Sequence, residues 1–147
     1  MRVAPYLATL LLACASIGHA ALGGLPGPFN SADSRAVSGV SVTAPNYVRR
    51  ETTLASGTLV REYISATGTV FAVAWEGPVL PDLKSLLGKY FAILMAETTK
   101  VPKAGRSSVA IEQQEVFIYS GGRMRAFEGA AWIPAQLPAG FSADDVR

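Results

Sequence analysis

The sequence predicts an α+β fold: an antiparallel β-meander of three strands, one amphipathic helix packed on that sheet, then a C-terminal β-hairpin. Three observations lead there. Two loops of one plan, Leu54-Ala55-Ser56-Gly57-Thr58 and Ser65-Ala66-Thr67-Gly68-Thr69, recur eleven residues apart between β-favouring segments. A leucine-rich stretch after them is spaced as a helix. Beyond it, two more β-favouring runs flank Gly121-Gly122.

Before any of these comes MRVAPYLATLLLACASIGHA, residues 1–20. Arg2, a short apolar run, and small residues at 18 and 20 have the layout of a cleaved secretory signal, with the cut expected after Ala20. The apolar run is too short for a membrane span, which needs roughly 20 residues. A less favoured alternative is acylation at Cys14, because Leu11-Leu12-Ala13-Cys14 loosely resembles a lipoprotein box. The expected destination is the periplasm or the medium. Cleavage would remove Cys14 and His19, the only cysteine and the only histidine in the chain. The remaining 127 residues would then lack thiolate and imidazole chemistry, disulfides and the usual zinc ligands.

Residues 21–46 hold four Gly, three Pro and four Ser, and show no apolar period. They are expected to form a flexible lead-in, pairing at most loosely near Val40–Val42. The single domain is placed at 47–137, followed by a polar tail at 138–147.

The three strands of the meander are expected at Tyr47–Leu54, Thr58–Ser65 and Thr69–Glu76, each hairpin turning on a glycine in the left-handed region. Pairing Leu54 with Thr58 opposes Arg50 to Glu62 and Glu51 to Arg61, both complementary. Pairing Ser65 with Thr69 sets Tyr63 beside Phe71 and Leu59 beside Trp75. Phe71, Val73 and Trp75 then share one face, and Val70, Ala72, Ala74 and Glu76 the other. Trp75 reads as a core anchor and Glu76 as the exit of the strand, which Gly77-Pro78 ends.

Pro81-Asp82 opens the helix, and Leu83, Leu86, Leu87, Tyr90, Phe91 and Leu94 form its buried stripe to about Glu97. Ser85, Gly88, Ala92 and Ala96 line a second, small-residue flank, so a neighbour is expected to approach Gly88 closely. The favoured neighbour is the sheet backbone near Ala72 and Ala74, the alternative the same helix of a second subunit. Val109–Ile111 and Glu115–Ser120 follow, and Gly121-Gly122 is expected to turn into Arg123–Ile133. That register opposes Glu115 to Glu128, which favours a bulge or an early end to the ladder.

Segments 57–88 and 121–145, GTLVREYISATGTVFAVAWEGPVLPDLKSLLG and GGRMRAFEGAAWIPAQLPAGFSADD, resemble a family of small exported bacterial proteins known only as a domain of unknown function. Ala21-Leu22-Gly23-Gly24 is similar to that family as well. The resemblance implies a cell-envelope or secreted protein and brings no activity, ligand or catalytic residue.

Beyond the leader the charge is nearly balanced, 12 basic against 11 acidic residues. This leaves no basic face for nucleic acid. Lys100, Lys103 and Arg106 cluster among Pro, Gly and Ser and read as a solvated loop. No catalytic, cofactor-binding or metal-ligating residue is assigned, and no cofactor is expected. The apolar strand Thr69–Glu76 needs cover on both faces, by the C-terminal hairpin, by self-association or by an envelope protein. A non-catalytic binding or structural module is the favoured function. The alternative is a hydrolase acting on envelope glycan through Glu62, Glu76 or Asp82. Two or more carboxylates converging in a concave pocket would favour that alternative, and a flat apolar patch would favour interaction. Ser85 and Lys89 lie one helical turn apart, but no Ser-x-x-Lys motif accompanies them.

Overall fold

The computed structural model describes residues 21–27, 36–100 and 108–146. The leader with Cys14 and His19, and the loop with Lys103 and Arg106, lie outside the described residues. The strands are β1 (Ala36–Thr43), β2 (Tyr47–Leu54), β3 (Leu59–Ser65), β4 (Val70–Gly77), β5 (Val109–Glu112), β6 (Phe117–Arg123) and β7 (Ala126–Trp132). They form one antiparallel sheet in the order β1-β2-β3-β4-β7-β6-β5. The helical segment is α1 (Leu83–Leu87), a 3₁₀ turn at Gly88–Tyr90, and α2 (Phe91–Lys100). The fold class is the α+β architecture that the sequence predicts, with a fourth strand added to the meander: β1 pairs along β2 where loose contact was expected.

The first hairpin closes as predicted. Leu54 N donates to Thr58 O at 2.9 Å, Gly57 has φ 84°, and Arg50 faces Glu62 while Glu51 faces Arg61. The second opens the same way, with Ser65 N on Thr69 O and Gly68 at φ 82°, but its register shifts after Ile64↔Val70 to Tyr63↔Ala72. Phe71 is the extra residue of a β-bulge, and a bulge re-aims the side chain it inserts. The expected faces are corrected accordingly. Val70, Val73 and Trp75 pack under the helix, while Phe71 crosses to join Tyr63, Ala72 and Ala74. Val60 lies opposite Trp75, and Leu59 lies opposite Glu76. Trp75 is the core anchor, 1 % exposed.

Asp82 caps α1, its Oδ1 accepting from Lys84 N at 3.1 Å and Ser85 N at 3.3 Å. Leu83, Leu86, Leu87, Tyr90 and Leu94 are buried against the sheet, as their spacing requires. The helix is not continuous: Gly88 takes φ 54°, ψ −126° and breaks it. The close neighbour of Gly88 is neither of the two expected. A Cβ there would lie 2.7 Å from Ala21 Cβ. Ala21–Gly24 is built into the fold rather than loose. Leu22 is 2 % exposed and donates its N–H to Leu86 O at 3.0 Å, and Gly23 N and Gly24 O both bond to Val70.

The C-terminal hairpin forms, but its turn is Met124-Arg125 rather than Gly121-Gly122, and both glycines lie in β6. The observed register places Ile118 opposite buried Ala131 and stacks Phe117 on Trp132, with centroids 4.0 Å apart. It also removes the Glu115–Glu128 opposition, since Glu128 now faces Gly121. Past β7 the chain does not trail off. Leu137, Phe141 and Val146 pack over Tyr63, Phe71, Ala72 and Ala74. The sheet therefore has two covered faces, a helix face and a tail face.

Candidate functional site

The tail covers only part of its face. Alternation along the strands sends Arg61 (β3), Ala74 and Glu76 (β4), Glu128, Ala130 and Trp132 (β7), and Phe117 and Tyr119 (β6) to one side. Beside Ala143, Asp144 and Val146 of the tail, these residues line a groove of about 630 Å³. The size lies within the roughly 300–1,000 Å³ of small-molecule sites.

Small residues make the floor. Ala74 lies opposite Ala130, and Gly129 lies opposite Trp75. The indole of Trp75 folds across Gly129 so closely that a Cβ there would sit 2.2 Å from Cζ2. A side chain at 129 would have to displace the Trp75 indole or the β6 backbone at Tyr119 O, 2.6 Å from that Cβ. The stacked Phe117–Trp132 pair and Tyr119 supply apolar and aromatic lining.

The rim is charged in a patterned way. Arg49, Glu51, Arg61 and Glu76 alternate in sign across β2, β3 and β4, with N···O separations of 3.1, 3.5 and 3.6 Å. Glu128 follows Glu76 directly across the β4–β7 ladder, so the alternation fails there and two carboxylates stand side by side. Tyr119 donates its hydroxyl to Glu128 Oε1 at 3.3 Å. Among the described residues no cation lies within 4 Å of Glu128.

Of the three carboxylates the sequence offered, only Glu76 reaches this groove. Glu62 is on the opposite face, 1 % exposed beneath the helix side, where burial pushes its carboxyl above the usual range against the pull of Arg50. Asp82 is committed to the α1 cap, and the Ser85 hydroxyl, bonded to it at 2.7 Å, holds its carboxyl below the usual range. Ser85 is thereby engaged, and Lys89 lies over the Tyr90 ring at 4.9 Å. Lys100 pairs with Glu97 on the helix.

Glu128, Asp144, Arg61, Tyr119, Phe117 and Trp132 escaped sequence reasoning. A signal existed: placing the turn at Met124-Arg125 puts Phe117 and Tyr119 on one face with Glu128, Ala130 and Trp132. The like-charge clash of the Gly-Gly register was the reason to move it. No group of three or more His, Cys, Asp or Glu side chains able to hold a metal occurs among the described residues. No described helix is long and apolar enough to cross a membrane.

Comparison with curated proteins and with solved structures returns no match. Over residues 18–146, nearly the whole chain, the sequence matches the family described as "Protein of unknown function (DUF2844)", and with the fold and both hairpin segments inside that span the chain belongs to that family.

Proposed function

We propose that the protein is an exported cell-envelope module that binds a ligand without transforming it, and that the groove on the tail face is where the ligand sits. The observation that carries this reading is the partial cover of that face. The chain's own tail seals the apolar surface over β3 and β4, yet the sheet beside it stays concave, aromatic and charged. A surface that only needed hiding would be closed throughout. Export rests on the leader and on the family resemblance. Cleavage after Ala20 fits the fold, because Leu22 immediately begins its hydrogen bonds to α1. Mass spectrometry of the protein recovered from its host should give an N-terminus at Ala21 without lipid. A diacylated peptide beginning at Cys14 overturns that placement.

The hydrolase reading has one specific observation in its favour, the neighbouring Glu76 and Glu128 in a concave site. Their arrangement argues against it. Glycoside hydrolysis needs two carboxyl groups flanking the scissile bond. Glu76 and Glu128 project side by side from adjacent strands, Arg61 reaches one of them, and the third carboxylate of the lining, Asp144, is itself engaged. Incubation with purified peptidoglycan should release no reducing ends above a blank. Release that disappears in both Glu76→Gln and Glu128→Gln would make the protein an enzyme.

A further inference from the structure

We infer that the groove selects a small organic ammonium ion, seated between Glu128 and the aromatic lining. The inference rests on the binding reading above and names its ligand class. Two independent features of the site agree on a cation, and a third bears on which kind.

The first is the broken charge alternation. From β2 to β4 every carboxylate on this face has an arginine beside it, and Arg61 divides itself between Glu51 and Glu76. Glu128 then stands directly opposite Glu76, and like charges opposed across a ladder repel. Arg123, the nearest cation along β6, lies opposite Ala126 in the ladder and forms no ion pair within 4 Å among the described residues. One positive charge at Glu128 would restore the alternation.

The second is the lining. Tyr119, whose hydroxyl bonds Glu128, borders the same space, with the stacked Phe117–Trp132 pair further along it. Aromatic rings attract cations through their negative faces, most strongly where water is partly excluded. An anionic ligand would meet Glu76 and Glu128 with Arg61 as the only cationic side chain among the described lining residues. The third feature is chemical. Among the described residues no group of three or more acidic, sulfur or imidazole side chains could hold a metal ion. A soft cation with an organic body uses aromatic rings and a carboxylate pair together, whereas a hard metal ion does not.

The test uses choline and its uncharged carbon isostere 3,3-dimethylbutan-1-ol, titrated into the purified protein and followed through the Trp132 indole resonance. Chito-oligosaccharide serves as the neutral polyol. Choline should shift that resonance saturably, with the isostere at least about tenfold weaker and the effect reduced by salt. Glu128→Gln should weaken choline about tenfold while the melting temperature holds or rises, because a repulsion is lost. If the isostere binds as well as choline, or only the oligosaccharide shifts Trp132, the cation inference is wrong and the groove remains a binding site. If none of the three perturbs any groove residue, the inference falls; if extracts of the host envelope also leave the groove resonances unmoved, the binding reading falls with it.

Discussion

Two buried or capping carboxylates give opposite pH signatures. Glu62 accepts from Arg50 Nε at 2.6 Å, and Arg50 Nη2 also donates to Gly27 O at 3.0 Å. Glu62 Oε1 has no hydrogen-bond partner among the described residues. Desolvation outweighs the arginine and raises the carboxyl above its ordinary value of 4.5. A raised folded value means that the native state holds the proton more tightly than the unfolded chain. Its contribution is present below 4.5 and is lost as pH rises through the folded value. Glu62→Gln should therefore flatten the decline of denaturant midpoints between 4.5 and the folded value; an unchanged slope would show that Glu62 does not titrate there. Asp82 has the reverse sign. The Ser85 hydroxyl lowers it, so its contribution is present above 3.8 and is lost as pH falls through the folded value. Arg50→Met at neutral pH leaves Glu62 buried without its cation, costing about 3–5 kcal/mol in urea unfolding. The double variant Arg50→Met/Glu62→Leu should recover most of that loss, since an apolar pair removes the stranded charge. Equal losses in both would mean that packing, not charge, sets the cost.

The hairpins show which local signals survive folding. Leu54–Thr58 and Ser65–Thr69 were legible because a third-position glycine fixes the loop and the charges Arg50, Glu51, Arg61 and Glu62 fix the register. The bulge at Phe71 was not legible. Its cause lies in distant partners, Tyr47 and Phe141, whose rings lie 6.2 and 4.9 Å away, and in Ile133 N, which bonds to Phe71 O. The third turn was misplaced because Gly121-Gly122 has the stronger local signature, while the cross-strand pairs Phe117–Trp132 and Ile118–Ala131 decide the register. Gly68 tests the loop chemistry in isolation. A Cβ there meets nothing within 4 Å, so Gly68→Val should cost on the order of 1–2 kcal/mol through backbone conformation alone. Loss of less than a few tenths would remove the left-handed assignment. Arg125, at φ 66°, is the converse case, and Arg125→Gly should stabilise the hairpin by several tenths of a kcal/mol in a thermal melt. Gly88→Leu should lower the melting temperature without changing molecular size. It should also speed amide exchange at Leu22 and Gly23, because Ala21 occupies the space a side chain would take.

At the scale of the whole molecule, the problem is that β4 is apolar on both sides, with Val70 to Trp75 all buried. The sequence made that problem visible but not its solution. α1 and α2 cover the side with Val73 and Trp75, as their leucine stripe announces. The cover of the other side comes from residues 137–146, in which the apolar positions are too irregular to signal a packed element. Tertiary contacts spanning 82 and 93 residues hold it there: Tyr63 donates its hydroxyl to Asp145 O at 2.8 Å, and Asn46 Nδ2 donates to Ala139 O at 3.0 Å. Phe141 completes an aromatic cluster with Tyr47, Tyr63 and Phe71 at centroid separations of 4.9 to 5.4 Å. Val146, 1 % exposed, borders both this cluster and the groove. Cover and site are thus made by one segment, and their loss should be coupled. Phe141→Ala should cost about 2–3 kcal/mol, below the 3–5 of a fully buried Phe because this ring is only half-buried. Truncation after Leu137 should do more, exposing Phe71, Ala72 and Ala74 together. The truncated chain should bind a hydrophobic dye, melt at lower temperature and self-associate on a sizing column. A truncated protein that stays monomeric, dye-silent and unchanged in melting temperature would show that the tail is not what closes this face, and the origin of the groove beside it would need another wall.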